Sequence, residues 1–491
     1  MGDKTKQILA GVAGLALVFF APAVAGLIGV SGTTLGIATF ALELVGYSLA
    51  GYAAMAYAED AIDSEAYAGL KLQTTKSNTA PVPIVYGRNK MGGNIIYQTT
   101  NSAIHGNGDA GSNRDYWAII VIADHDIESL VNVWANDQVL GYASGVHSNA
   151  YVQVRSGYTA SATNVQSVQF PTSSSATQAG SGLGLSSSVI PAGVHYLAVH
   201  QVYDGTESAN TQMASVTVEI KGKKIRSINS GSISSAESYS VNPAEIVLDL
   251  LGDALSVADS EIDIDSFYAA KTACDSHGFT VNLALLRKTN VSASLGEVMG
   301  TCRGFLTHSQ NKWKMIVDDS GKTSVGTLTD DDFINQSLAI SMPSNRDIAN
   351  FIYLRYINPN DEWMSAQVIA GDTELVALDG QTLTKTLDIK GVTDQQHAQK
   401  LAQITLNSGR YSEDGQGNRI KQTPISISFA TSIKNAHLEV GDVIGIDHSL
   451  FNRIRTFTIL STSTDQSGLI EISAREYCAT HYKDDNGNQI I

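Results

Sequence analysis

The chain is poor in charge, in proline and in cysteine. Of its 491 residues only 16% are charged, 9 are prolines and 3 are cysteines. This composition excludes a coiled coil, a collagen and a disordered tail, and the 43 glycines indicate a folded chain rich in turns. Cys274, Cys302 and Cys478 lie far apart and form no C-x-x-C pair, which argues against a disulfide framework and a four-thiolate metal site.

Basic residues are also scarce. The 32 lysines and arginines are outnumbered by 48 acidic residues, which gives a net charge of −16. Proteins that grip nucleic acid neutralise its phosphates with clusters of Lys and Arg, so this charge argues against such a role. It is compatible with a surface past which nucleic acid slides without adhering. The length corresponds to about three domains.

The N-terminus is a long stretch almost without charge. Residues 7–42 hold no charged side chain, and the apolar stretches 8–25 and 37–57 flank a Gly/Ser/Thr break. Three interpretations stay open. Residues 23–25 form an A-x-A site, as in a cleaved signal peptide; the stretches have the length of membrane helices; or they are apolar helices buried in an assembly, since their small residues permit close packing.

After residue 59 the pattern changes to short alternating segments rich in Val, Ile and Tyr, which predict strands. The Ser/Gly-rich stretches 173–188 and 227–240 read as a surface loop and a linker. Helices are predicted next, one capped by Asn242 and one capped by Asp265. A further helix has a capping box that begins at Thr393.

These changes in pattern predict four parts. Residues 1–58 form an apolar helical segment that is a plug or membrane-active. Residues 59–228 are a first β-rich part with a Ser/Gly-rich insertion, and residues 229–335 are an α+β part. Residues 336–491 are a second β-rich part with one capped helix. The predicted fold class is therefore mainly β with an α+β insert.

No motif supports an enzyme. Residues 106–111 match G-x-G-x-x-G but precede a strand rather than the helix that a dinucleotide site needs. Residues 330–332, three aspartates, read as a solvated turn, and residues 484–488 resemble the start of a calcium loop but read as a frayed polar tail. His125 lies between two aspartates and reads as structural. We therefore predict no catalytic residues, no cofactor and no metal.

Four stretches, taken in order, resemble a known family. They are residues 79–96 (TAPVPIVYGRNKMGGNII), 133–138 (VWANDQ), 387–402 (LDIKGVTD and the helix after it) and 439–446 (EVGDVIGI). Together with Tyr477 and Tyr482 they resemble the central tail-hub, or tail-tip, proteins of long-tailed bacteriophages, the family of the phage lambda tip attachment protein. The resemblance covers residues 79–482.

The resemblance implies a structural virion protein at the distal end of the phage tail. Such a hub has tube-like β-barrel domains and forms a homotrimeric, pseudo-hexameric ring that caps the tail tube and opens for DNA ejection. The implied partners are the distal tail protein, the C-terminus of the tape measure protein and a receptor-binding or tail fibre protein. DNA would pass without specific binding, and residues 8–57 would contact the host membrane or plug the lumen.

Two other functions stay open at this stage. The charged start and apolar core of residues 4–25 fit a secreted or membrane-anchored β-rich surface protein of a bacterium. A hydrolase of cell-wall polymers is the third reading, although no acid–base pair is recognisable in the sequence.

Overall fold

The computed structural model describes most of the chain from residue 80 onward. The described residues are 76, 80–101, 115–135, 138–143, 146–148, 154–155, 158–159, 163–168, 194–202, 215–286, 291–343, 348–464, 468–484 and 487–491. The predicted helical segment 1–58, the loop at 106–111 and the loop at 173–188 lie outside these residues. No helix within the described ranges has the length and apolarity needed to cross a membrane.

The first part of the described chain is made of strands. They are β1 (Pro83–Tyr86), β2 (Arg88–Gly92), β3 (Asn94–Asn101), β4 (Asp115–Ala123), β5 (Ile127–Ala135), β6 (Gln138–Val139), β7 (Gly141–Ala143), β8 (Val146–Ser148), β9 (Val154–Arg155), β10 (Tyr158–Thr159), β11 (Thr163–Val168), β12 (His195–Val202), β13 (Val216–Asn229) and β14 (Ser232–Tyr239).

These strands form two main sheets around one apolar core. The first has the order β3-β4-β12-β11-β8-β7, and the second has the order β14-β13-β5-β6 with β2 also paired to β13. Alternate residues of β4 and β13, such as Ile120, Ile122, Val218 and Ile220, are fully or almost fully buried in the core. The core thus takes alternate residues from these two strands, as expected for one face of a strand.

The stretch 227–240 is not a linker, as its composition predicted. It forms the end of β13, a tight turn with Gly231 at φ +72°, and β14. Ile228 pairs directly with Ile233 across the hairpin, so the isoleucines spaced among the serines carry the strand pattern. The serines are compatible with a strand because β14 lies at a sheet edge and is largely exposed.

A helical part follows. It contains helix α1 (Pro243–Leu255), helix α2 (Ile264–His277), strand β15 (Leu283–Leu286), helix α3 (Val291–Cys302), strand β16 (Gly304–Ser309) and strand β17 (Lys312–Val317). Asn242 caps α1 as predicted, because its side chain accepts from the amide of Ala244. The cap of α2 is Asp263, whose side chain accepts from the amide of Ser266; the predicted cap, Asp265, is the second helical residue.

The last part returns to strands and adds two helices. The strands are β18 (Ser324–Thr329), β19 (Ala339–Ser341), β20 (Phe351–Asn358), β21 (Met364–Gly371), β22 (Thr384–Asp388), β23 (Ser412–Glu413), β24 (Arg419–Ile420), β25 (Ser426–Thr431), β26 (Val443–Asp447), β27 (Arg455–Thr464) and β28 (Ile470–Glu476). The helices are α4 (Thr373–Asp379) and α5 (Gln395–Arg410).

Two sheets organise this part. One has the order β18-β26-β27-β28-β25-β19, and the other has the order β21-β20-β22. Helix α5 packs on the second sheet, and its buried residues Ala398, Leu401 and Ala402 share a continuous apolar core with α1, α2 and α3. The cap of α5 is Asp394, which accepts from the amide of His397, so the predicted start at Thr393 was one residue early.

The predicted tube-like barrels are not present among the described strands. Both six-stranded sheets have two different end strands, β3 and β7 in one and β18 and β19 in the other, and the end strands do not pair with each other. The sheets are therefore open. Each buries its apolar face against another layer of the fold and does not curl into a closed barrel. The mainly β character of the chain is as predicted.

Candidate functional site

The polar residues that the sequence offered as candidate sites have structural roles. The amide of Val85 donates to His125 Nε2 at 2.8 Å, and His125 Nδ1 lies 2.8 Å from the carbonyl oxygen of Asp126. Burial lowers the pKa of His125, so the ring is neutral and joins β1 to the turn before β5. Within the described residues, no group of three or more His, Cys, Asp or Glu side chains is placed to hold a metal ion.

The two acidic motifs are turns. Residues 330–332 form a short 3-10 helix in which Asp332 accepts from the amide of Thr329 at 3.0 Å. The second motif, residues 484–488, was expected to fray, but its described residues are ordered: Asp484 Oδ1 accepts from the amide of Asn488 at 2.8 Å and Gly487 adopts φ +81°. The sequence D-x-x-G-N occurs also at residues 414–418, with the same contacts between its first and last residues.

The first and third family-like stretches meet at Asn282, in a contact that we call the Asn282 junction. The amide of Arg88 donates to Asn282 Oδ1 at 2.7 Å, and Asn282 Nδ2 donates to the hydroxyl of Thr393 at 2.5 Å. The amide of Asn282 also donates to the carbonyl oxygen of Gly391 at 2.9 Å. One side chain therefore ties the start of β2 to the loop before α5, across more than 100 residues of sequence.

Glycine is required at position 87 for this approach. A Cβ on Gly87 would lie 2.3 Å from Asn282 Oδ1 and 2.3 Å from the carbonyl oxygen of Val281, and the residue has φ +68°. Both conditions exclude an ordinary side chain. The glycine thus lets the two backbones come close enough for the Asn282 contacts.

Trp363, in the hairpin between β20 and β21, lies beside the Asn282 junction. Its side chain lines a small cavity together with Asn89, Ile357 and Ile389, and only 6% of the residue is exposed. Glu362 and Trp363 both have positive φ, at 51° and 65°. Such backbone is strained for residues with side chains, and the burial of the indole ring offsets that cost. The remaining cavity of about 20 Å³ has room for about one water.

A second set of contacts surrounds Asp318 and is called here the Asp318 junction. Asp318 forms a buried ion pair with Arg303, and the hydroxyl of Tyr482 donates to Asp318 Oδ1 at 2.7 Å. Burial alone raises the pKa of this carboxyl, but Arg303, Lys322 and the bond from Tyr482 outweigh it and hold the pKa below its ordinary value. Asp318 is therefore ionised and links β17 to the C-terminal end of the chain.

The fourth family-like stretch lies beside this junction. Glu439 accepts from the hydroxyl of Ser309 at 2.6 Å and from Lys314 Nζ at 2.5 Å, so the β16–β17 hairpin is fixed to the turn before β26. Lys322 Nζ donates to the carbonyl oxygen of Gly441 at 3.2 Å. The stretch thus connects the helical part to the last large sheet.

Both junctions hold distant segments of the chain together. Each joins segments that are far apart in sequence through buried or half-buried polar contacts, and each sits between apolar cores. Neither contains the nucleophile, base and orienting group that catalysis by side chains requires. Sequence reasoning missed both Asn282 and Asp318, because their partners are recognisable only once the chain is folded.

Part of the chain matches a known protein family. Residues 290–462 match the family described as "Putative phage tail protein". This match, which covers about a third of the chain, supports the expectation of a phage tail protein for the part that contains Asp318, Thr393 and Glu439. Among curated proteins nothing matches.

One of three similar solved structures has a fold likeness over most of the chain. A chain of the virion of a native gene transfer agent particle is similar with a TM-score of 0.57 and 14% identity, covering 85% of this chain and 89% of that chain. A tail protein from Neisseria meningitidis MC58 has a TM-score of 0.30 and 10% identity over 81% and 96%. Prophage tail protein gp18 from Listeria monocytogenes EGD-e has a TM-score of 0.25 and 8% identity over 72% and 90%.

Proposed function

We propose that the chain is the central hub at the distal end of a phage or phage-like tail. The observation that carries this proposal is the match of residues 290–462 to phage tail proteins. It is supported by the order of the four family-like stretches and by a fold shared with a chain of a gene transfer agent virion. The chain acts as a structural protein and not as an enzyme.

The junctions supply the stiffness that a hub needs. The Asn282 junction joins the first sheets to the helical part, and the Asp318 junction joins the helical part to the last sheet. Buried polar contacts of this kind are costly to break one at a time. A hub built in this way transmits force between its neighbours as one body, and the tail opens by movement between subunits.

Three copies form the ring in this proposal. The two β-rich parts of each chain alternate around it, which gives a pseudo-hexameric ring on the end of the tail tube. The net charge of −16 keeps the surface from adhering to DNA that passes through during ejection. Partners are the distal tail protein, the C-terminus of the tape measure protein near residues 8–57, and a receptor-binding or fibre protein.

The mass of the purified protein in solution tests the ring. We expect a particle of about 156 kDa, three chains of 52.1 kDa, by light scattering after gel filtration. Negative-stain images of the same fraction should show rings with threefold symmetry. A protein that stays at the mass of one chain at high concentration, with no rings in the images, would contradict the proposal.

A further inference from the structure

One face of the second sheet carries side chains that neither the cores nor the junctions use. On this face, which we call the basic-aromatic face, β13 places Lys221 opposite Arg88 of β2 and Glu219 opposite Lys90. On its other edge β13 pairs with β5, where Trp134 lies opposite Thr217. The alternate residues of β13, Val216, Val218 and Ile220, point into the core, so this set faces outward.

The face is ordered by internal contacts. Glu219 is only 2% exposed although it lies on the outer face, because it is ion-paired with Arg88 and accepts from Asn132 Nδ2 at 2.7 Å. Lys90 Nζ lies 4.2 Å from the centre of the Trp134 ring, a cation–π contact. Arg88 and Lys90 are therefore held in place before any partner arrives, which lowers the entropy lost on binding.

The face is positive in an acidic protein. Arg88, Lys90 and Lys221 contribute three positive charges, and Glu219 contributes one negative charge. Within the described part of the chain, no ion pair joins Lys90 or Lys221 to a carboxylate, whereas the neighbouring Lys223 is paired with Asp249 at 2.7 Å. Because the chain as a whole carries −16, an acidic surface of another copy complements this face.

We propose that the basic-aromatic face binds the acidic turn 330–332 of a second copy. Asp331 is exposed, and Asp330, whose side chain is 53% exposed, lies 3.4 Å from His448 Nε2 and accepts from the amide of Ser449 at 3.2 Å. Asp332 is paired with Lys434. The turn therefore offers carboxylates to a face on which the cations Arg88, Lys90 and Lys221 outnumber the carboxylates Glu219 and Glu128. The turn follows β18 of the last six-stranded sheet and the face belongs to the second sheet of the first part, so the contact is head-to-tail and generates a ring if its rotation closes.

This inference rests on the proposed ring, and it names the residues through which neighbouring copies in the ring contact each other. In that ring the first β-rich part of one copy lies beside the second β-rich part of the next. Arg88, Lys90 and Trp134 belong to the family-like stretches 79–96 and 133–138, and their outward position is explained by such a contact. Nucleic acid fits the face less well, since three cations neutralise little of a phosphate backbone in a chain of this net charge.

Charge reversal tests the contact in the full-length protein. We expect K90E/K221E to weaken self-association at least tenfold by sedimentation, with unchanged thermal unfolding of the subunit. D330K/D331K should weaken it similarly, and the variant that combines all four changes should recover association. The control K76E/K312E reverses two exposed lysines elsewhere with the same change in net charge, and it should associate as the wild type does.

The outcomes separate this inference from the proposed function. If the wild-type protein is a monomer, the ring itself is contradicted. If the wild type associates but K90E/K221E associates equally well, or if the combined variant does not recover, this assignment of the contact is overturned and the ring stands. Substitution to glutamine, in K90Q/K221Q, gives a milder variant for the same test if the reversed protein fails to fold.

Discussion

At the residue scale, two glycines in the family-like stretches allow contacts that no other residue permits. Gly87 lets the backbone of β2 approach Asn282, and Gly441 has φ +90° with Ile316 packed against its α-carbon. Both lie in stretches that the sequence singled out by resemblance, 79–96 and 439–446. The sequence did not identify what the two glycines approach, because Val281, Asn282 and Ile316 lie more than 100 residues away along the chain.

The variant Gly441→Val tests this requirement. A Cβ at this position would lie 2.7 Å from Ile316 Cδ1, and a β-branched residue at positive φ is strained by itself. We expect a loss of about 2 kcal/mol or more in the free energy of unfolding, measured by chemical denaturation. Gly231→Val is the matched control, since Gly231 has φ +72° with nothing within 4 Å. An equal effect of the two variants would show that the contact with Ile316 does not matter.

The variant Asn282→Ala tests the first junction. It removes the acceptor of the Arg88 amide and the donor to Thr393, so we expect a loss of about 1–3 kcal/mol. Thr393→Val removes only the second contact and should cost less. In a double-mutant cycle the two changes should be less than additive; strict additivity would mean that the Asn282–Thr393 contact contributes nothing to stability.

At the element scale, the sequence predicted strands and helices better than it predicted their ends and partners. The helix capped by Asn242 was located correctly. The caps of α2 and α5 were each misplaced by one or two residues, because several neighbouring polar residues can serve as caps and only the backbone decides which one does.

The wrong predictions have a common physical cause. Residues 227–240 read as a linker by composition, yet two isoleucines and a glycine turn are sufficient to form a hairpin beside a long strand. Barrels were expected from the resemblance, yet whether a sheet closes depends on pairing between its end strands, which no local pattern encodes. The two junctions depend on contacts of the same long-range kind.

The variant Leu401→Asp tests the role of α5. Leu401 is 1% exposed and belongs to the core that joins α5 to α1, α2 and α3. A carboxylate there would be buried without a partner, so we expect the helical core to lose its cooperative unfolding transition in calorimetry. Gln396→Asp adds the same charge at an exposed position in the first turn of α5 and should unfold normally. A normal transition in Leu401→Asp would contradict the packing of α5.

At the scale of the whole molecule, several buried histidines make stability depend on pH. Burial lowers the pKa of His195 to about 4, of His397 to about 4 and of His481 to about 3. In the unfolded chain these groups titrate near 6.5. The folded state binds fewer protons below that value, so its stability is full above about pH 6.5 and falls as the pH drops toward 4.

We therefore expect the midpoint of thermal unfolding to fall steadily between pH 6.5 and pH 4. Calorimetry at half-unit steps measures this fall. His481 Nε2 lies 2.7 Å from the carbonyl oxygen of Tyr411, and His481→Gln keeps a donor while removing the titration. This variant should show a shallower fall than the wild type, and an identical pH dependence would exclude His481 as a contributor.

The position of the protein on the particle tests the central claim most directly. Tailed particles labelled with gold-conjugated antibody against the folded chain can be imaged by electron microscopy, with particles that lack the protein as the control. The hub function predicts gold only at the end of the tail away from the head. Gold along the length of the tail, or on bacterial envelopes and not on particles, would contradict it.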